Sequence, residues 1–136
     1  MSGIAGIFFL DTQPVDRSVL ERMVESLAHR GPDGAGVWSE GPVGLGHRML
    51  WPTPESLHEK LPLVSKSGDL VLTADARLDN RDELVRALGI TGRPREEIGD
   101  GELILGAYEK WGERCPERLL GDFPFAIWDR RRQALF

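Results

Sequence analysis

A single cysteine, Cys115, stands in the 136 residues, which excludes an internal disulfide and any cysteine-based zinc site. The three histidines, His29, His47 and His58, are far apart in sequence, so no metal is expected. Basic residues are outnumbered 17 to 22 by acidic ones, and the net charge of −5 argues against nucleic acid or an anionic membrane surface as partner. No apolar run approaches bilayer-spanning length, and no basic segment precedes an apolar one at the N-terminus. A Walker A phosphate loop is also missing. There is no repeat, low-complexity tract or interdomain linker. These absences leave a soluble, cytoplasmic, single-domain protein with enough apolar residues for a real core.

What is there begins at residue 2. Ser2 is small, so Met1 would normally be removed, leaving a free α-amine and a hydroxyl on one residue. That pairing is the minimum machinery of an N-terminal nucleophile hydrolase, in which the terminal amine serves as base for its own side chain. Most N-terminal serines do nothing of the kind, so the feature alone decides little.

Gly3 to Leu10 reads as a central strand, apolar on both faces. A helix follows with Asp16 as N-cap, Val15 stapled onto Leu20, and Val19, Leu20, Met23, Val24 and Leu27 on one face. His29 to Gly34 forms a tight loop in which Arg30 and Asp33 are placed to pair. Residues 36–38 and 43–50 read as strands, residues 51–62 as a proline-rich loop, and residues 69–76 as a further strand. Asn80 and Glu83 resemble a capping box opening a helix that Gly89 stops. Asp100 is placed to cap a third helix, with Leu103, Ile104, Ala107, Tyr108 and Trp111 inward and Gly112 at its end. Pro116 suits the first turn of a short fourth helix ending at Gly121. The strand over Phe123 to Trp128 is apolar on both faces and must be covered on both. Arg130 to Arg132 form a solvated turn before a strand that opens at Gln133. Two-sided strands with helices between them predict a layered α+β sandwich. Its last strand has barely begun at Phe136, so further protein is expected beyond it.

Five motifs occur in one order: Ser2-Gly-Ile-Ala-Gly-Ile-Phe, His29-Arg-Gly-Pro-Asp-Gly, Gly46-His47, Asp100 before Glu102-Leu-Ile-Leu, and Leu120-Gly-Asp-Phe-Pro-Phe-Ala-Ile-Trp-Asp129. Over residues 1–136 the chain resembles class II glutamine amidotransferase domains, above all the one that opens asparagine synthetase and its relatives. Ala74 to Asn80 and Gly46 to Trp51 look most like the asparagine-synthetase-like cyclases that close macrolactam rings in lasso peptides. The resemblance implies a four-layer αββα sandwich of the N-terminal nucleophile hydrolase type, incomplete here at its C-terminus. It also implies a C-terminal synthetase domain, in cis or in trans, that activates a carboxylate with ATP and magnesium. The Ser-Gly-Gly-x-Asp-Ser loop of that domain is absent, so no cofactor is expected in this chain.

Compared with the family pattern, the chemistry is altered at several positions. Ser2 stands where the family has a cysteine nucleophile, and a hydroxyl is less acidic and less nucleophilic than a thiol. The oxyanion hole of an Asn-Gly pair falls on Asp75 and Ala76. An ionised carboxylate accepts only, and losing one such donor costs roughly 3–4 kcal/mol in the transition state. The arginine that clamps the glutamine carboxylate falls on Met49, with Arg48 one place away on the opposite strand face. Asp100 keeps the position that binds the glutamine amino group, although a helix N-cap explains it equally well. Arg30 and Asp33 fix the loop beside Ser2. His47 is a hydrogen-bonded strand residue and Cys115 a structural thiol.

The expectation is a glutaminase-like domain that has lost glutamine hydrolysis and serves as scaffold for a synthetase or macrolactam cyclase. The alternatives are a serine N-terminal nucleophile amidohydrolase acting on another amide, and a truncated interaction module. The substrate and the oligomeric state are not legible.

Overall fold

A computed structural model describes all residues, 1–136. Its first sheet is antiparallel, with β3 (Val43–Met49) between β1 (Gly3–Phe8) and β2 (Gly34–Glu40). His47 of β3 lies opposite Ile4 on one side and Gly36 on the other. The second sheet runs β4 (Leu63–Val64), β5 (Leu70–Ala74), β8 (Phe125–Asp129), β9 (Ala134–Leu135), again antiparallel. A two-stranded ribbon, β6 (Arg77–Leu78) with β7 (Gly121–Asp122), leaves the end of β5.

Strand alternation sorts these side chains into four layers. Val43 and Leu45 of β3 meet Val71 of β5 and Trp128 of β8, so the two sheets pack face to face. Leu70 and Leu72, one residue out of phase with Val71, join Ile127 under the helices. There they meet Leu103 and Ile104 of α3 (Asp100–Trp111), with Leu84 and Val85 of α2 (Arg81–Leu88) alongside. Fully burying side chains of this size stabilises by about 1.5–3 kcal/mol each. The outer face of the first sheet carries α1 (Arg17–Ser26), whose Leu20 and Val24 are buried. The order is α1, sheet, sheet, α2 and α3: the expected αββα sandwich.

The approach of α1 depends on glycine. A Cβ on Gly46 would overlap Val24 Cγ2, and one on Gly44 would press on Leu20 and Val15. Val15 and Leu20 thus close over the same spot, while Asp16 caps the helix by accepting from the Ser18 N–H at 2.8 Å. Cys115 is fully buried in the core, and burial pushes its thiol up to about 11, so it is structural.

Several sequence expectations need correction. β1 ends at Phe8, and Leu10 is 86% exposed, because the chain has already turned toward α1. Asn80 stands at the N-cap of α2 and its amide reaches Glu83 Oε2 at 3.4 Å as expected, but its side chain caps no helix N–H; the amide also donates to Arg118 O and accepts from the Leu120 N–H, tying α2 to the segment before β7. Asp100 is not an N-cap either: Gly99 holds that place, and the Gly101 N–H is taken by Glu59 from the proline-rich loop. The fourth helix is a 3₁₀ turn, Gly112–Arg118, with Pro116 inside it rather than in its first turn. Arg130, Arg131 and Arg132 form the solvated turn expected of them, each beside a carboxylate: Glu40, Asp69 and Glu113 respectively. No helix is long and apolar enough to cross a membrane.

Gly46→Ala is expected to lower the unfolding free energy in urea by about 1–3 kcal/mol of overpacking, whereas Gly6→Ala, on the same sheet, adds a Cβ that meets only ordinary contacts at 3.4 Å and is expected to cost less. Equal losses would show that the α1 contact does not govern the fold.

Candidate active site

Ser2 precedes β1 and is held by three contacts. Its carbonyl accepts from Arg30 Nε at 3.1 Å, its Oγ from the Leu50 N–H at 3.0 Å, and its main-chain N–H donates to Asp75 Oδ1 at 2.9 Å. The loop beside it is fixed from both ends. Gly31 lies so close to the Arg48–Met49 peptide that no Cβ would fit. The Asp33 N–H donates to Met49 O at 3.0 Å, and Asp33 Oδ2 accepts from the Trp51 N–H at 2.8 Å. Arg30 and Asp33 therefore do not pair with each other as expected. One holds the start of β1 and the other the end of β3.

Ser2 opens onto a cleft of about 290 Å³ at one end of the two sheets, lined among others by His47, Asp75, Ala76, Arg77 and Asp100. Asp75 follows the last residue of β5 and is anchored by its N–H to Pro124 O. Its carboxylate faces the backbone of Ser2. The Ala76 N–H donates to no backbone carbonyl, so one main-chain donor remains free at this turn.

Met49 is buried to 9% exposure and packs into the core beneath the cleft. Arg48 projects from the other face of β3, where Nε donates to Val24 O at 3.3 Å and the guanidinium pairs with Glu25. The strand thus turns its only arginine away from Ser2. Asp100 does line the cleft, but both its oxygens are engaged. Oδ2 accepts from the Leu78 N–H at 3.1 Å, and Oδ1 pairs with Arg81, which also donates to Ile98 O.

His47 is 3% exposed, with Nδ1 3.5 Å from Thr73 Oγ1, whose own proton goes to Gly46 O. Burial pushes its pKa down to about 4, so the ring is neutral at pH 7. Glu59, also lining the cleft, is pushed up by burial, against the opposing pull of the Gly101 N–H and Arg81. Carboxylates dominate the lining: Glu55, Glu59, Asp75, Asp100 and Asp122, against Arg77 alone.

Ser2, Asp75, Ala76 and Asp100 are thus brought together, Arg30 and Asp33 buttress them, and Met49 lies below. Sequence reading missed Glu59 and Arg81. Glu59 sits in an aperiodic proline-rich stretch and meets α3 across 42 residues of chain. Arg81 looks like an ordinary first-turn residue of α2, and nothing local announces its pairing with Asp100.

An αββα sandwich with residue 2 at the mouth of a cleft between its sheets has the form of an N-terminal nucleophile hydrolase-like domain. A solved structure shares that fold: the glutamine phosphoribosylpyrophosphate amidotransferase of Bacillus subtilis, at TM-score 0.71 and 18% identity, covering 96% of this chain and 35% of that one. The family model described as a glutamine amidotransferase domain matches residues 1–136. The chain belongs to that family. It is 33% identical over 138 residues to asparagine synthetase [glutamine-hydrolyzing] 3 of Bacillus subtilis, covering all of this chain and 22% of that protein. It is 28% identical over 120 residues to amidase chyE of Penicillium rubens, covering 85% of this chain and 17% of the relative. The chain therefore spans about a fifth of the length of these relatives.

The neutral His47 makes stability pH-dependent. The unfolded chain protonates this ring near pH 6.5 and the folded one only near 4, so stability falls as pH drops through that window. The loss is roughly 3 kcal/mol when complete. Glu59 works in the opposite direction, so the difference between wild type and His47→Gln isolates the ring. Urea unfolding at neutral pH and at two acid points is expected to show that difference shrinking as the medium is acidified; a constant difference would refute it.

Proposed function

We propose that this domain keeps the amidotransferase scaffold, has lost glutamine hydrolysis, and forms the structural half of an asparagine-synthetase-like, ATP-dependent amide ligase. The observation that carries the reading is the facing of β3. Met49 is buried in the core and Arg48 is bound to Glu25 on α1, so no guanidinium of this strand reaches the carboxylate of a glutamine at Ser2. Two further features support it. Ser2 offers a hydroxyl where the family has a thiol, and Asp75 offers a carboxylate where an oxyanion needs donors. Arg30 and Asp33 then act as scaffold, holding the loop whether or not residue 2 reacts. Asp100, neutralised by Arg81, serves the fold rather than a substrate ammonium.

The partner in this reading is a synthetase domain, in cis or in trans, which would hold ATP and magnesium. The much greater length of the relatives supports it. A macrolactam cyclase of the lasso type joins an amine already present in its substrate and needs no ammonia. That chemistry would release Ser2, Met49 and Asp75 from selection together. A serine amidohydrolase is the second reading, favoured by Ser2 Oγ facing the cleft and by the free Ala76 N–H.

Purified protein freed of Met1 is expected to release no more ammonia from glutamine than its Ser2→Ala variant does. Release above that level would overturn the proposal. Ser2→Cys alone is expected to stay silent, because one missing oxyanion donor costs about 10²–10³-fold in rate before the clamp is counted. Covalent trapping of Ser2, but not of the Ser2→Ala variant, by an amide-mimicking electrophile would favour the amidohydrolase.

A further inference from the structure

Among the contacts around residue 2, the one from its main-chain nitrogen has no use in the amidotransferase reading. The Ser2 N–H donates to Asp75 Oδ1 at 2.9 Å while Met1, 73% exposed, is still attached. Removing Met1 turns that peptide nitrogen into an α-ammonium and leaves it beside the same carboxylate. Its position is set by Arg30 on the Ser2 carbonyl and Leu50 on Oγ, neither of which involves Met1.

We infer that Asp75 is the counter-ion of the processed N-terminus, holding the Ser2 α-amine protonated and so removing the base that a nucleophile at residue 2 needs. Asp75 is then a positioning residue with a second consequence: it withholds an oxyanion donor and also disarms the amine. The inference deepens the proposed loss of hydrolysis but does not depend on it.

An opposite charge within about 4 Å favours the charged form of a titrating group, typically by one to three pK units where solvent is partly excluded. Both residues are half-buried, so screening is incomplete. The other charged groups lie around the same cleft, with Asp100 paired to Arg81. Glu55, Glu59, Asp100 and Asp122 line the cleft as carboxylates, and Asp33 is engaged by the Trp51 N–H. Arg30 and Arg77 oppose them, Arg30 from the carbonyl side, and His47 is neutral. Among all of these only Asp75 is within hydrogen-bond reach of the nitrogen. An asparagine at 75 would still accept from the amine through its amide oxygen but would carry no charge.

The test titrates the amine directly. Full-chain protein with Met1 removed, verified by intact mass, is pulse-labelled with trace acetic anhydride from neutral to alkaline pH. Labelling of the N-terminal peptide is read by mass spectrometry against a free Ser-Gly-Ile-Ala peptide. The wild-type midpoint is expected about one unit or more above the peptide's, giving roughly tenfold less labelling at neutral pH. Ser2→Ala is expected to keep the raised midpoint, since the pair uses the main chain. Asp75→Asn is expected to bring it back to the peptide's. A wild-type midpoint at or below the peptide's would overturn the inference without any variant, as would a midpoint unchanged in folded Asp75→Asn or retention of Met1 in cells. The ammonia assay decides separately: release with a raised midpoint would overturn both the loss of hydrolysis and the disarming of the amine while sparing the ion pair, and no release with an ordinary midpoint would overturn the pair and spare the loss of hydrolysis.

Discussion

The alternation of β3 is the constraint on which the rest of the molecule rests. One face of this strand shows Gly44, Gly46 and Arg48 to α1, and the other shows Val43, Leu45, His47 and Met49 to the second sheet. The glycines let the helix approach, and the apolar residues join the sheets. A slip of one residue would place Cβ atoms under α1 and glycines in the core, so register is strongly specified. That same register decides where Arg48 goes. The strand cannot present this guanidinium to the cleft without giving up its packing. An arginine facing the cleft would have to stand on the other face of β3, where this chain has Val43, Leu45, His47 and Met49.

The surroundings of Ser2 follow from the ends of β3 and β5. Asp33 reads the turn after Met49, Gly31 lies on the Arg48–Met49 peptide, and Leu50 donates to Ser2 Oγ. Asp75 comes off β5 and closes on the Ser2 nitrogen. Each of these bonds joins elements distant in sequence, and together they fix residue 2 on all sides. None of them requires residue 2 to react. A domain can lose its chemistry and still need this knot, because the knot also aligns the edge of the first sheet with the loop that follows α1. The His29 to Gly34 loop is held by these packing and main-chain contacts, which are independent of any chemistry at residue 2.

The layered fold and most of its elements were legible in the sequence because they are written in local period. The two-sided strands at Gly3 and Phe125, the apolar stripe of Leu20 and Val24, and the stops at Gly89 and Gly112 are all short-range signals. The opposite facing of Arg48 and Met49 was equally legible, since it needs only the two-residue repeat of a strand. What escaped was long-range polar pairing. Asn80 does stand at the N-cap and reach Glu83, but its shorter bonds go to the chain 38 and 40 residues on. Asp100 looked like a cap too, yet Glu59 takes over the Gly101 N–H and leaves Asp100 to Leu78 and Arg81. A polar side chain near a helix start has both a local and a distant partner available, and only the packed structure decides between them.

The charge around the cleft adds a constraint that no single substitution reveals. Glutamine brings a carboxylate and an ammonium, and its hydrolysis develops a third charge, negative, on the carbonyl oxygen. Two of those three charges are negative and ask for donors or cations. Here Arg77 is the lining's one cationic side chain, Asp100 is paired with Arg81, and Glu55, Glu59, Asp75 and Asp122 remain. In a partly enclosed cleft such like charges are weakly screened and act together. The lining therefore offers an anion little: Met49 is apolar and buried, an ionised Asp75 can only accept, and Arg77 is the one cationic side chain there.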